Sequence, residues 1–281
     1  MTKSCRNGTD GPNVVESRPQ IASLARTCHT AAMISWEASG AGAPAILVHG
    51  FTEDRHVWHR LVPLLESDFR CVQLDLRGHG ASSDADDLSA FAMAEDIATV
   101  VREAGIDEPP LLIGHSLGGV VVSAYATQAP TRAVVNVDQT LRVGDFARAL
   151  QPVADALRGP DWRAALHIVF SSLGIDQLDA DDRTYVLDKI DALPHEVLLG
   201  VWGLVLDGDP DELTALVESL LPAIDVPYLA VHGGDPGDDY GSWLTKLIPT
   251  TTFEVWDGVG HFVQLVEPQR LADRIKAFAA S

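Results

Sequence analysis

A chain of 281 residues, 46% hydrophobic and 21% charged, has apolar mass for one large domain or one domain carrying an insertion. Its 40 Asp and Glu against 20 Lys and Arg leave a net charge of −20, a field that repels nucleic acid and anionic membrane, so neither is an expected partner. Three cysteines, Cys5, Cys28 and Cys71, odd in number and without CxxC spacing, argue against a disulfide framework or a zinc site and suit a reducing, cytoplasmic setting.

Residues 1–20 are polar, lack an apolar signal-peptide core, and are expected to form a disordered tail. No apolar run approaches the roughly 18 residues of a membrane span. AMISWEAS (Ala32 to Ser39) predicts a strand and GAGAP a turn. AILVHG (Ala45 to Gly50) is a continuous apolar run, as expected of a strand covered on both faces. CVQLDLRG, PLLIGH, AVVNVD (Ala133 to Asp138) and PYLAVHGG (Pro227 to Gly234) repeat that pattern, and TTFEVW closes the set. Helical periodicity lies between them: LSAFAMAEDIATVVREAG ends on a C-capping glycine, another helix begins after Ser116, and PQRLADRIKAFAA is the last. Alternation of this kind predicts an α/β fold with a mainly parallel sheet and helices on both faces.

The alternation lapses from residue 139 to 225. VGDFARALQPVADALRG, WRAALHIVFSSLG, DDRTYVLDKIDAL, HEVLLGVWGLVLDG and DELTALVESLLPAI all read as amphipathic helices, the last introduced by Asp209, Pro210 and Glu212 as N-cap, N1 proline and capping-box acid. A crossover needs about a dozen residues. The interval is therefore expected to be a helical cap over a core built from residues 21–138 and 226–281.

Chemistry enters at LLIGHSLGGV. Gly114-His115-Ser116-Leu117-Gly118 stands between a buried strand and a helix, the pattern of a nucleophile elbow. A sharp turn there lifts the Ser116 hydroxyl clear of the sheet and aims a helix N-terminus at it. Serine needs a base, and the base an orienting carboxylate. His261, in DGVGHFVQL between the last strand and the last helix, is the candidate base among ten histidines. His49-Gly50-Phe51 ends a buried strand, so the backbone N–H groups of Phe51 and Leu117 are candidate oxyanion donors.

Four segments in order, LVHGFTEDRHVW, DLRGHGASS, IGHSLGG and GVGHF, resemble the α/β-hydrolase superfamily, in particular its capped, esterase-like members. The resemblance implies an α/β-hydrolase fold with Ser116 as nucleophile, His261 as base and Phe51 and Leu117 as oxyanion-hole donors. It also implies that Asp75, Arg77 and His79 are structural, and that neither metal nor organic cofactor takes part. Many relatives carry the acid after the penultimate strand; here Asp235 lies one residue short of that place, where Pro236 stands. Asp138, after the preceding strand, occupies a position other members use. Asp138 is the favoured acid and Asp235 the alternative.

The expected activity is hydrolysis of an ester, lactone or related acyl bond of a small apolar molecule. Trp202, Phe170 and Leu198 of the cap are expected to line its pocket. Two rivals stand beside it. One is non-hydrolytic or C–C-cleaving chemistry on the same fold (lyase, cofactor-free dioxygenase, perhydrolase). The other is a ligand sensor that keeps the triad and turns over slowly.

Overall fold

The computed structural model describes residues 33–280. In chain order its elements are β1 (Trp36–Ser39), β2 (Ala43–Val48), α1 (Val62–Leu65), β3 (Phe69–Leu74), α2 (Ala90–Glu103), β4 (Leu111–His115), α3 (Leu117–Ala126), β5 (Ala133–Val137), α4 (Val143–Leu150), α5 (Ala154–Arg158), α6 (Trp162–Ser171), α7 (Ala180–Ala192), α8 (His195–Asp207), α9 (Pro210–Leu220), β6 (Tyr228–His232), α10 (Tyr240–Leu247), β7 (Thr251–Val255), α11 (Val263–Val266) and α12 (Pro268–Ala279).

The strands make one sheet in the order β1-β3-β2-β4-β5-β6-β7. Only β1 runs antiparallel to its neighbour; every other pair is parallel. Each residue of β4, β5 and β6 is buried whichever face it points to, which is why these strands read as unbroken apolar runs: helices cover both faces. Register then fixes the functional edge. Val48 pairs with Gly114, His115 with Val137, and Val137 with Val231. The C-terminal ends of β2, β4, β5 and β6 finish within a residue or so of one another, and the residues that follow emerge along a single edge.

The helices begin and end on local chemistry. Ser89 caps α2 by accepting the Ala92 N–H. At the other end Gly105 turns left-handed (φ 61°) and the Ile106 N–H reaches back to the Val101 carbonyl, a Schellman closure that buries Ile106. The loop after β3 is pinned to α2 by Arg77, whose guanidinium forks onto the fully buried Asp96. Asp75 likewise accepts from Arg55 and from the Ala81 N–H. Both groups hold loops in place, as the resemblance implied.

Between β5 and β6 the chain runs through α4–α9, with no strand among them. Asp209 caps α9 by accepting the Asp211 and Glu212 N–H groups, with Pro210 at N1. The segment expected as one helix over 143–159 is instead two. α4 stops at Leu150, a tight turn spans Gln151–Val153, and α5 restarts at Ala154. Pro152 has no N–H to give to an α-helical ladder, so the chain breaks there. Polar contacts tie this insertion to the turn following β2: Lys189 to Asp54 (2.5 Å), Tyr185 Oη to Asp54 Oδ1 (3.0 Å) and Arg60 to the buried Asp182 (2.7 Å).

The first strand starts at Trp36, later than expected, because residues 33–35 form bonds outside the sheet: Ser83 N–H donates to the Met33 carbonyl and Asp75 N–H to that of Ser35. The expected tail, residues 1–20, lies outside the described residues, as do Cys5, Cys28 and His29. No helix among the described residues is long and apolar enough to cross a membrane.

Candidate active site

Among the described residues only three other than glycine have a left-handed backbone: Thr52 (φ 69°), Ser116 (φ 50°) and Asp138 (φ 52°). They follow β2, β4 and β5, three adjacent strands, at the same edge of the sheet. Each such backbone costs on the order of 1–3 kcal/mol, tolerated where the surroundings over-determine it. Strain concentrated on one edge marks that edge as the site.

Ser116 sits between β4 and α3 with φ 50° and ψ −123°. Its N–H continues the sheet by donating to the Val137 carbonyl, and its carbonyl accepts the Gly119 N–H at 2.7 Å. The turn is so tight that a Cβ on Gly114 would lie 2.2 Å from the Gly118 carbonyl oxygen, and one on Gly118 would lie 2.1 Å from that of Val48. The two glycines flanking the serine are thus required by close backbone approach, not by helix capping.

Asp138 extends β5 by one ladder bond, its N–H donating to the Val231 carbonyl. Both carboxylate oxygens are engaged. Oδ1 accepts the Gly233 N–H at 2.6 Å, and Oδ2 meets His261 Nδ1 at 2.6 Å. Burial works against its ionised form, but the hydrogen bond and charge of His261, with His232 and the Gly233 N–H, outweigh it and hold the pKa below the usual carboxylate value. A carboxylate facing Nδ1 assigns the proton to that nitrogen and leaves the Nε2 lone pair free. His232, packed against Tyr240 and Phe253, is pushed down to about 4 by burial and stands neutral beside the pair.

His261 is positioned through its backbone. Its N–H donates to the Leu173 carbonyl of the insertion, and its carbonyl lies 2.9 Å from His115 Nε2. Ser116 and His261 line one cavity without a hydrogen bond joining Ser116 Oγ to the imidazole. The Leu117 N–H, first in α3, has no acceptor within its helix, and none among the described residues takes that of Phe51. The Phe51 turn is anchored by Glu53, whose Oε2 accepts the Gly50 N–H at 2.6 Å.

The cavity holds about 430 Å³, and no lysine or arginine lines it. Phe170 and Trp202 contribute to its wall. Trp202 lies tilted against the Phe51 ring, 4.7 Å between centroids, and meets the Phe146 ring edge to face at 5.4 Å, joining α8 to the turn that carries Phe51. Leu198 does not line it. One turn earlier on α8 it is fully buried, and the cavity wall on that helix begins only at Gly200. Asp235 is exposed, and its carboxylate accepts the Gly237 N–H, closing its own turn, instead of facing His261. The acid facing His261 is Asp138.

Sequence reasoning overlooked Glu53 and treated His115 as loop support, yet the two are buried together at 3.0 Å beneath the site. The only trace of this was an acidic residue three places after His49-Gly50, in a stretch (Thr52-Glu53-Asp54) that reads as solvated. Among the described residues no group of three His, Cys, Asp or Glu side chains gathers to hold a metal ion.

Comparison with known proteins bears on the family. A model described as alpha/beta hydrolase fold matches residues 44–157. "Probable oxidoreductase EphD" of Mycobacterium tuberculosis is 39% identical over 87 residues, 30% of this chain, and the chain spans only 15% of that relative's length. The pimeloyl-(acyl-carrier protein) methyl ester esterase of Neisseria meningitidis is 30% identical over 228 residues, covering 76% of this chain and 70% of the relative. The structure of an esterase from Exiguobacterium antarcticum is alike in fold, with a TM-score of 0.74 at 18% identity over 88% of this chain and 96% of that one. Identity sustained across most of both chains, on a matched family model that contains the strained serine turn and Asp138, makes this protein a member of the α/β-hydrolase family.

Proposed function

We propose that this protein is a serine hydrolase that cleaves an ester, lactone or related acyl bond of a small apolar substrate through an acyl-serine intermediate. The observation that carries the reading is the 2.6 Å contact between Asp138 and His261 Nδ1, which leaves Nε2 free in the same cavity as the strained Ser116. In this reading the Ser116 oxygen attacks the acyl carbon and its proton passes to His261 Nε2. Asp138 stabilises the imidazolium that results. The N–H groups of Phe51 and Leu117 receive the developing oxyanion. The imidazolium returns its proton to the leaving alcohol; water, deprotonated by His261, then attacks the acyl-enzyme and releases the acid.

Residues 139–225 act as a cap over the cavity. The apolar wall, the absence of lysine and arginine along it and the net charge of −20 favour an uncharged substrate. Esterase names among the relatives agree with acyl transfer to water. A cytoplasmic location fits this reading.

The test is labelling by a fluorophosphonate together with turnover on a panel of nitrophenyl esters and lactones. Ser116→Ala is expected to lose the label and to lower kcat by about 10⁴-fold or more. Wild-type turnover by a folded Ser116→Ala protein would refute the mechanism.

A further inference from the structure

Among the described residues four histidines are buried, His49, His79, His115 and His232, and their partners assign them different protons; burial pushes His79 down to about 4 and keeps it neutral. His49 Nδ1 faces the Gly50 carbonyl at 2.7 Å, and its Nε2 accepts the Leu76 N–H at 2.9 Å, so one donor and one acceptor satisfy a neutral ring. His232 has no partner at Nε2 and is also neutral. His115 differs. Its Nδ1 faces Glu53 Oε2 at 3.0 Å and its Nε2 faces the His261 backbone carbonyl at 2.9 Å. Both partners are acceptors, and only a ring carrying two protons can donate to both. His115 is fully buried and Glu53 is 3% exposed, so neither charge is offset by water. Each offsets the other, and Glu53 gains a second donor in the Gly50 N–H at 2.6 Å.

The pair reaches every working part of the site. Glu53 fixes the turn that presents the Phe51 N–H. His115 is the residue immediately before Ser116. Its ring centroid lies 4.7 Å from that of His261, whose carbonyl it holds. We propose that Glu53 and His115 form a buried carboxylate–imidazolium pair that acts as a positioning device, setting the Phe51 turn and the His261 backbone in register with Ser116. Burial opposes both charges; Glu53 nonetheless holds the His115 pKa above its ordinary value, and His115 holds that of Glu53 below its own. The titratable groups facing His115 are Glu53, His261 and, behind His261, Asp138. This role rests on the serine-hydrolase reading above; the protonation state does not.

Two measurements test it. In the full-length protein labelled with ¹⁵N-histidine, the His115 ring, assigned by its contact with Phe262 (5.6 Å between centroids), is expected to carry protons on both nitrogens at neutral pH. A bare Nδ1 at neutral pH would mean a protonated Glu53 beside a neutral ring and would overturn the proposal. In kinetics, Glu53→Gln and His115→Gln are expected to lower kcat by about tenfold to a hundredfold with KM nearly unchanged, the loss that a small misplacement of reacting groups produces. The double variant should be no worse than the poorer single, because the two residues act as a unit. Glu53→Asp, which keeps the charge on a shorter arm, should recover part of kcat and decides the matter if the Gln variants do not fold. A folded variant with wild-type kcat, additive losses, or a change confined to KM would overturn the positioning role. An active Ser116→Ala protein would instead sink the hydrolase reading and leave the ¹⁵N result standing.

Discussion

Replacing Asp138 by Asn keeps the shape of the side chain and inverts its hydrogen bonding. In the native site Oδ1 accepts the Gly233 N–H and Oδ2 faces His261 Nδ1, both at 2.6 Å. An asparagine must turn its carbonyl toward Gly233, since an amide NH₂ there would oppose N–H to N–H. Its NH₂ then points at His261 Nδ1, which can only accept. The imidazole proton moves to Nε2, the nitrogen that should take the proton from Ser116. The imidazolium that forms during attack also loses its counter-charge. Loss of tautomer and charge together amounts to about 10⁴-fold in kcat, or about 5.4 kcal/mol of barrier. The fold should survive, because Asn retains the Gly233 bond. The assay is kcat on a nitrophenyl ester, with circular dichroism and thermal unfolding as controls and Asp235→Asn as the comparison. Asp235→Asn, which removes only an exposed turn contact, should stay near wild type. A folded Asp138→Asn protein within tenfold of wild type, or a collapse of kcat in Asp235→Asn, would refute the reasoning.

Arg77→Ala should strand the buried Asp96 carboxylate and lower stability by about 3–5 kcal/mol at neutral pH, measured by urea unfolding, with kcat and KM unchanged in the folded fraction. Stability should also fall with acid in a defined window. Burial pushes His79 and His232 down to about 4, so each unfolded ring takes up a proton from about pH 6.5 downward while the folded ring resists, and stability is lost as pH falls toward 4. Asp138 and Glu53, held below their ordinary values, extend that loss at still lower pH. His115, held above its ordinary value, works in the opposite sense, its contribution present below about pH 6.5 and lost as pH rises through the folded value. A urea midpoint that stays flat from pH 7 to pH 4.5 would refute the neutral assignment of His79 and His232.

What the sequence disclosed follows the range of the forces involved. Strands covered on both faces appear as unbroken apolar runs, so β2 through β6 could be read directly, and glycines two positions either side of Ser116 announce a turn too tight for a Cβ. The sequence favours Asp138 over Asp235 but leaves both open. Each is an aspartate just past a buried strand, and what separates them is which one faces the loop carrying His261, a relation set by sheet order and not by spacing. Leu198 and Trp202 share a face of α8 by periodicity, yet the cavity starts between them. The Glu53–His115 pair was invisible because a buried carboxylate looks like any other acid until its long-range partner is known. The break at Pro152 could have been anticipated from its missing N–H, but the apolar spacing ran straight across it.

Because Asp138 at the end of β5 is the carboxylate that faces His261, the segment after β6 holds that pair only through the Gly233 N–H. Past Gly233, which must stay for Asp138, the residues from Gly234 to Asp238 are mostly exposed; Asp235 binds only within the segment, and Gly237 turns through φ 109° with open space around it. The chain is closed off beyond them by Asp239, paired on the surface with Arg142. Exposed backbone with few outside bonds accepts added length far better than packed structure does. This stretch, none of whose residues lines the cavity, is therefore a natural port in the protein, where a peptide tag, a fluorophore or a whole inserted module can be spliced.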